Sequence, residues 1–391
     1  MHTDTQSLHE IICECADAAL ETQRDDGSMP AGHNGPWSDP ETPVRNTGHW
    51  AITFLRCHEL TEADQFLDAG EAAISYLLSE EARPHGATFH HILSGENLRC
   101  NGLIGQAWSI EALVYAAEYL GRPKLAEVAS DVFTQHSFED HLAAWHPVEI
   151  DGSVKPIDMT FNHQLWFAAA GGLLAQHPAS DPVVDEQVRR YLGELPANLN
   201  VTVEGLVYHP FKPDFDLQKY GRVFLEGMKA GTAHTMVIGV LRGLLGGDEG
   251  STEVSEGGWT EKSVGYHSFN LYAFALLREA YPDHPFWGHE KFERSVDYAM
   301  SDSYVDALDE NPYGYPYNCS GIEMAYAVDV LTDVGDDVRS QWLERQFDRT
   351  YEAETASMAR NNPDPTTLTA RLYEATRVPD TEFEISEATD D

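Results

Sequence analysis

The 391 residues carry 65 acidic and 25 basic side chains, a formal net charge of -40, and such a surface repels nucleic acid and anionic membranes. No apolar run of about 18 residues occurs, nor a basic start leading through an apolar run to a small-residue cleavage site, so the expectation is a cytoplasmic chain without membrane insertion. Hydrophobic residues at 42% and aromatics at 10% supply a large core, so the acidity reads as adaptation to molar salt, where the Debye length falls to about 3 Å, rather than as disorder.

Apolar residues at helical spacing recur over 7 to 24, 46 to 60, 64 to 79, 101 to 120, 123 to 135, 161 to 176, 183 to 195, 217 to 245, 263 to 281, 288 to 302, 320 to 334 and 337 to 360. Strand patterns are nearly absent. Tight junctions such as Thr61-Glu62-Ala63 and Leu120-Gly121-Arg122-Pro123 join antiparallel neighbours, and longer junctions rich in Gly, Pro, His and Trp separate the pairs. The helices that follow long junctions open on polar or aromatic residues: Asn46 and His49, Asn101 and Gln106, Asn162 and His163, Tyr266 and His267, Ser320 and Glu323. With a weaker start near His234 admitted, these entries lie roughly 55 to 60 residues apart, the mark of a closed array of hairpins.

The predicted fold is therefore all-α, an (α/α)6-type toroid in one domain over 1 to 379. The long junctions form its working face. Helices such as 101 to 120, apolar nearly all round, belong to an inner ring, and more charged partners such as 183 to 195 to an outer one. Asp380 to Asp391, acidic and without a large apolar face, read as a solvated tail.

Cys13, Cys15, Cys57, Cys100 and Cys319 show no CxxC pairing, which argues against a disulfide framework or a structural zinc site, so no metal is expected. No GxGxxG or P-loop occurs, and no nucleotide cofactor is expected.

Two constellations bring chemistry-bearing residues to helix entries. Ser255-Glu256-Gly257-Gly258-Trp259-Thr260-Glu261-Lys262-Ser263-Val264-Gly265-Tyr266-His267 places a carboxylate, a phenol and an imidazole together. Asp158-Met159-Thr160-Phe161-Asn162-His163-Gln164-Leu165-Trp166 sets His163 and Trp166 on one helix face. The plainer alternative makes Glu261 a helix-entry residue favoured by the dipole, and Tyr266, His267 and His163 satisfied core polar groups. Arg45, Asn46, His49 and Trp50, the loop Gly32 to Trp37, His90-His91 and Tyr208-His209-Pro210 are further cleft candidates. Trp108, Trp166 and Trp259 are either sugar-stacking platforms or core.

Asn162-His163 before one apolar helix, and Glu256-Gly257-Gly258-x-x-Glu261-x-Ser263-x-x-Tyr266-His267 before another, resemble signatures of the heparinase II/III and alginate-lyase toroids, within the wider six-hairpin group of sugar-active enzymes. The motifs cover about thirty residues. The resemblance implies that Asn162 neutralises a uronate carboxylate while His163, Tyr266 and His267 carry protons at the adjoining ring carbon. Such a proton becomes removable when aligned donors hold the developing enolate charge, and an imidazole or phenol in reach can act as base. The large β-sheet module that usually follows the toroid in heparinase-like lyases has no counterpart here.

The carbanion can expel a substituent, as in a lyase, or recover a proton on its other face, as in an epimerase. The expected activity is a cytoplasmic isomerase or epimerase acting on a hexuronic acid-type sugar, free, nucleotide-linked or in a lipid-linked oligosaccharide, for N-glycan assembly. Tyr266 and His163 exchange the proton, Asn162 and Arg45 hold the carboxylate, Glu261 orients His267, and Trp166, His49, Asn101, Trp108, His234 and Trp259 contact the sugar. A polysaccharide lyase, an unsaturated-uronyl or other glycoside hydrolase using two of Asp158, Glu261 and Glu323, and a non-catalytic glycan-binding scaffold are the rival readings. All depend on the entries near 162 and 266 converging.

Overall fold

Helix α4 (Gly102–Tyr119) buries 15 of its 18 residues, whereas its successor α5 (Pro123–Gln135) buries 6 of 13, all on one stripe. Residues apolar all round can only sit inside, so α4 is an inner stave and α5 its outer cover. The computed structural model, which describes residues 3–95, 97–211 and 256–386, repeats this division around a ring. Among the described residues the inner helices are α2 (Val44–Thr61), α4, α6 (Phe161–Ala175), α9 (His267–Ala280), α12 (Ser320–Leu331) and the short α14 (Pro365–Ala370), which continues as a 3-10 turn over Arg371–Arg377. Each packs on the next, and the last returns to α2. The outer layer comprises α1 (Leu8–Leu20), α3 (Asp64–Leu77), α5, α7 (Pro182–Asn198), α10 (Glu290–Ala299) with α11 (Asp302–Asp309), and α13 (Asp336–Thr350).

Close packing between layers needs small residues. A Cβ on Gly171 of α6 would stand 2.5 Å from the Phe133 ring of α5, so the two helices meet at their observed separation only because that position is glycine.

The sixth hairpin joins the two chain ends. Strand β1 (Thr3–Ser7) pairs antiparallel with the last strand, Glu382–Ser386, in the register Thr3 to Ser386 and Ser7 to Glu382, and α1 packs against the Arg371–Arg377 turn. Asp380 accepts from the Ser7 hydroxyl at 2.7 Å and from the His9 N–H at 3.1 Å. The expected solvated tail is thus corrected over Glu382–Ser386, where Phe383 and Ile385 are buried. Alternation of those two apolar residues with Glu382 and Glu384 is a short strand pattern that the acidity of the tail conceals.

The expected helix over 217 to 245, and His234 with it, lie outside the described residues. Among the described elements α6 packs on α9, and the ring closes through residues 365 to 377, a segment the apolar periodicity passed over. The predicted helix over 263 to 281 is divided at Tyr266 into α8 (Glu256–Gly265) and α9. Among the described residues no helix is long and apolar enough to cross a membrane.

Candidate functional site

Five of the six inner helices begin after a long loop, and α9 begins one residue after α8, so that their N-terminal ends are the ones the long junctions feed. The partial positive charges of those ends add at the ring axis and favour an anion there.

At the entry to α6 the chain reaches Thr160 in an extended conformation, and Asp158 folds back over it. One carboxylate oxygen accepts the Thr160 N–H at 3.0 Å, and the other accepts from His163 Nδ1 at 2.7 Å. Gln164 pins the loop by donating to the Asp158 and Trp145 carbonyls. Donation from Nδ1 leaves the Nε2 lone pair of His163 free to accept a proton. Burial pulls the Asp158 carboxyl upward, but the His163 imidazole and the Thr160 bonds outweigh it and hold the group below its ordinary range. The adjoining entry to α4 makes room for this pair: Asn101 and Gly102 both have positive φ, and a Cβ on Gly102 would lie 3.3 Å from the Asp158 carboxylate. Asn101, expected to contact a sugar, forms no side-chain cap and serves the left-handed turn.

The entries near 162 and 266 converge. The His209 carbonyl accepts from the Phe161 N–H at 2.8 Å, and its own N–H donates to Ser263 Oγ at 3.0 Å, so one strap ties the start of α6 to the end of α8. The His209 ring stacks on Tyr266 at a centroid distance of 5.0 Å, and burial, with His163 and Lys262 nearby, pushes it down to about 3. The Tyr266 hydroxyl donates to Tyr317 Oη at 3.2 Å and is also reached by the Trp37 side chain. Burial, reinforced by Tyr317, raises the phenol well above its usual range. Tyr266 therefore stays protonated, and its hydroxyl acts as a hydrogen-bond donor to Tyr317.

On the opposite arc, Arg45 lies over Trp108 at 4.2 Å and pairs with Glu41 at 3.2 Å. His49 stacks on Tyr373 at 4.2 Å and meets the edge of Trp108. Burial, with Arg45 and Arg371 alongside, keeps its imidazole neutral. Both His49 ring nitrogens, Asn46 Oδ1 and Asn162 Oδ1 are buried without a hydrogen-bond partner among the described residues, a costly state for polar atoms that a hydroxylated ligand would relieve.

Three expected site residues do not belong here. His267 points away from the axis: its Nδ1 accepts from the Val207 N–H at 3.3 Å, its Nε2 donates to the Ser295 carbonyl at 2.9 Å, and Tyr298 and Tyr304 flank the ring. Burial lowers it to about 4, so it is a neutral strut. Glu261 is exposed and has no bond to His267, whose two nitrogens are already used; the expected orienting role fails because the break at Tyr266 turns the two residues apart. Trp166 is buried, donates to the Phe269 carbonyl at 3.1 Å and stacks between Phe269 and Tyr272, which makes it core. Trp259 remains near the site, 6.4 Å from the His209 ring.

The sequence reading missed Arg371. Its guanidinium binds Glu323 at 2.6 Å and Glu374 at 2.8 Å, donates to Asn318 at 2.7 Å, and lies 5.4 Å from the Phe269 ring. Cys319, Glu323 and Glu374 gather within 4.8 Å, but the guanidinium supplies the positive charge that a metal would bring. Glu323, one of the carboxylates considered for a hydrolase, is committed to this cluster and to Ser268. A signal for the helix was present: Asp364 caps it through the Thr367 N–H, with Pro365 in its first turn.

A closed ring of six inner helices, each backed by an outer layer, is an (α/α)6 toroid. Two solved structures share it: D-mannose isomerase, with a TM-score of 0.63 at 14% identity over 94% of this chain and 96% of that one, and cellobiose 2-epimerase from Bacillus thermoamylovorans B4167, with a TM-score of 0.62 at 9% identity over 95% and 99%. At these identities the likeness is one of fold. No protein-family model matches the chain. In sequence it is 43% identical over 377 residues, 96% of this chain and 99% of the relative, to archaeal glycosylation protein Q from Haloferax volcanii. The chain belongs to the archaeal glycosylation protein Q family.

Proposed function

We propose that the protein is a sugar isomerase or epimerase that acts in glycan assembly on a hexuronate, moving the proton on the carbon beside the carboxylate. The observation that carries this reading is the Asp158–His163 pair, tied through the His209 strap to the protonated phenol of Tyr266. His163 Nε2 takes the proton from one face of the sugar, and Tyr266 returns one to the other. Tyr266, whose phenolate is strongly disfavoured, recovers its proton by way of solvent from His163, so the cycle balances without a cofactor. The inner-helix N-termini, Arg45 and Asn162 favour the carboxylate and its enolate. The relative's role in glycosylation and the isomerase and epimerase neighbours support the class of substrate and reaction.

Incubation with a hexuronate substrate in deuterated water tests the reading. One deuterium appears in the product at the carbon next to the carboxylate, with no chromophore at the ultraviolet wavelengths of unsaturated uronates. An unsaturated product, or bond cleavage without exchange, overturns it. Comparison of the surface glycan made with and without the gene identifies the sugar.

A further inference from the structure

Trp37 is 42% exposed, yet the loop that carries it is closely specified. Asn34, Gly35 and Ser38 all have positive φ, and a Cβ on Gly35 would fall 2.1 Å from the Tyr317 ring, so the loop lies directly on that tyrosine. Asp364 holds it from below by accepting the His33 N–H at 3.0 Å. A large apolar ring kept at the surface by strained backbone calls for something to cover it.

Its surroundings indicate what. The Trp37 ring is 6.2 Å from Tyr313, which is itself 6.0 Å from Tyr266, so the aromatic surface runs outward from the proton donor. Lys262 Nζ lies 4.6 Å from the Trp37 ring, 5.7 Å from Tyr313 and 5.9 Å from Trp259. Broad aromatic rings match the apolar face of a pyranose, and an ammonium among them favours a ring bearing negative charge.

We propose that Trp37, Tyr313, Trp259 and Lys262 form a second sugar subsite on the rim beside Tyr266, so that the substrate is a hexuronate joined to a further acidic sugar and not a free monosaccharide. The inference rests on the isomerase reading for which sugar reacts, but the subsite is tested by binding alone. Calorimetric titrations with galacturonic acid and its α-1,4-linked dimer separate the two. The wild-type protein binds the dimer about tenfold more tightly than the monomer, and Trp37→Ala and Trp259→Ala each reduce that ratio to about threefold or less, while Trp37→Phe preserves most of it. Lys262→Met also reduces it, and added salt weakens dimer binding in the wild type more than in this variant. Equal binding of dimer and monomer, binding of neither, or a ratio that survives Trp37→Ala overturns the proposal. Because the ratio is read within each variant, loss of folded protein does not imitate the effect, and a dimer preference without proton exchange would sink the isomerase reading while sparing the subsite.

Discussion

Asp158 accepts from both the His163 imidazole, at 2.7 Å, and the Thr160 N–H, at 3.0 Å, which orients a partly exposed imidazole at the start of an inner helix by a carboxylate that is itself fixed. Two bonds to one carboxylate leave the ring little freedom to turn and dictate which nitrogen faces the axis.

Asp158→Asn removes that control, since an amide can donate to His163 as well as accept from it. The expected result is a fall in deuterium incorporation of about 100-fold or more, with the circular dichroism spectrum unchanged. His163→Ala has at least as large an effect. Wild-type exchange rates in His163→Ala would remove the imidazole from the mechanism.

Tyr266→Phe keeps the ring that stacks on His209 and deletes only the hydroxyl. Exchange of the substrate proton falls less than overall conversion, because abstraction by His163 survives while reprotonation on the other face is lost. The wild-type rate does not decline on the alkaline side up to about pH 9, since burial holds the phenol well above its ordinary value. An alkaline limb that vanishes in Tyr266→Phe would show that this phenol ionises earlier than its surroundings imply.

His267→Gln lowers stability by about 1 to 3 kcal/mol through loss of one or both buried bonds, with little change in kcat of the folded protein. The folded-state value of this imidazole, about 4, lies below its unfolded value near 6.5. The unfolded chain therefore takes up the proton first as pH falls through that interval, and the stability contributed by the neutral ring is lost. Urea midpoints of wild type and variant, well separated at pH 7, are expected to approach each other between about pH 6.5 and pH 4. A constant separation across that range would contradict the buried neutral assignment.

Arg371→Met strands Glu323 and Glu374 together in the core and is expected to cost about 3 to 5 kcal/mol in urea denaturation at pH 7. Glu374→Gln is milder, because burial already pushes that carboxyl up to about 7 despite Arg371, so replacing it by a neutral isostere removes less charge. If Glu374→Gln proves as damaging as Arg371→Met, the cluster depends on a fully ionised pair.

Local chemistry made most of the ring legible in the sequence. An inner stave such as α4, apolar on every side, and an outer cover such as α5, apolar on one stripe, differ in ways that burial dictates along a single helix, and the alternation of tight and long junctions follows from stacking such pairs. The same pattern named His163, Tyr266, Asn162, Arg45 and His49, which lie at or near the starts of inner helices. Which of two adjacent residues faces the axis was decided in three dimensions: the break at Tyr266 points that phenol inward and sends His267 between Tyr298 and Tyr304. The last place in the ring was likewise a tertiary matter, because α1 and the Arg371–Arg377 turn lie at opposite ends of the chain and meet beside the pairing of Thr3–Ser7 with Glu382–Ser386. Periodicity records how one helix buries its own face; it holds no information about partners hundreds of residues away, and packing between those partners settled both the closure of the ring and the direction of its side chains.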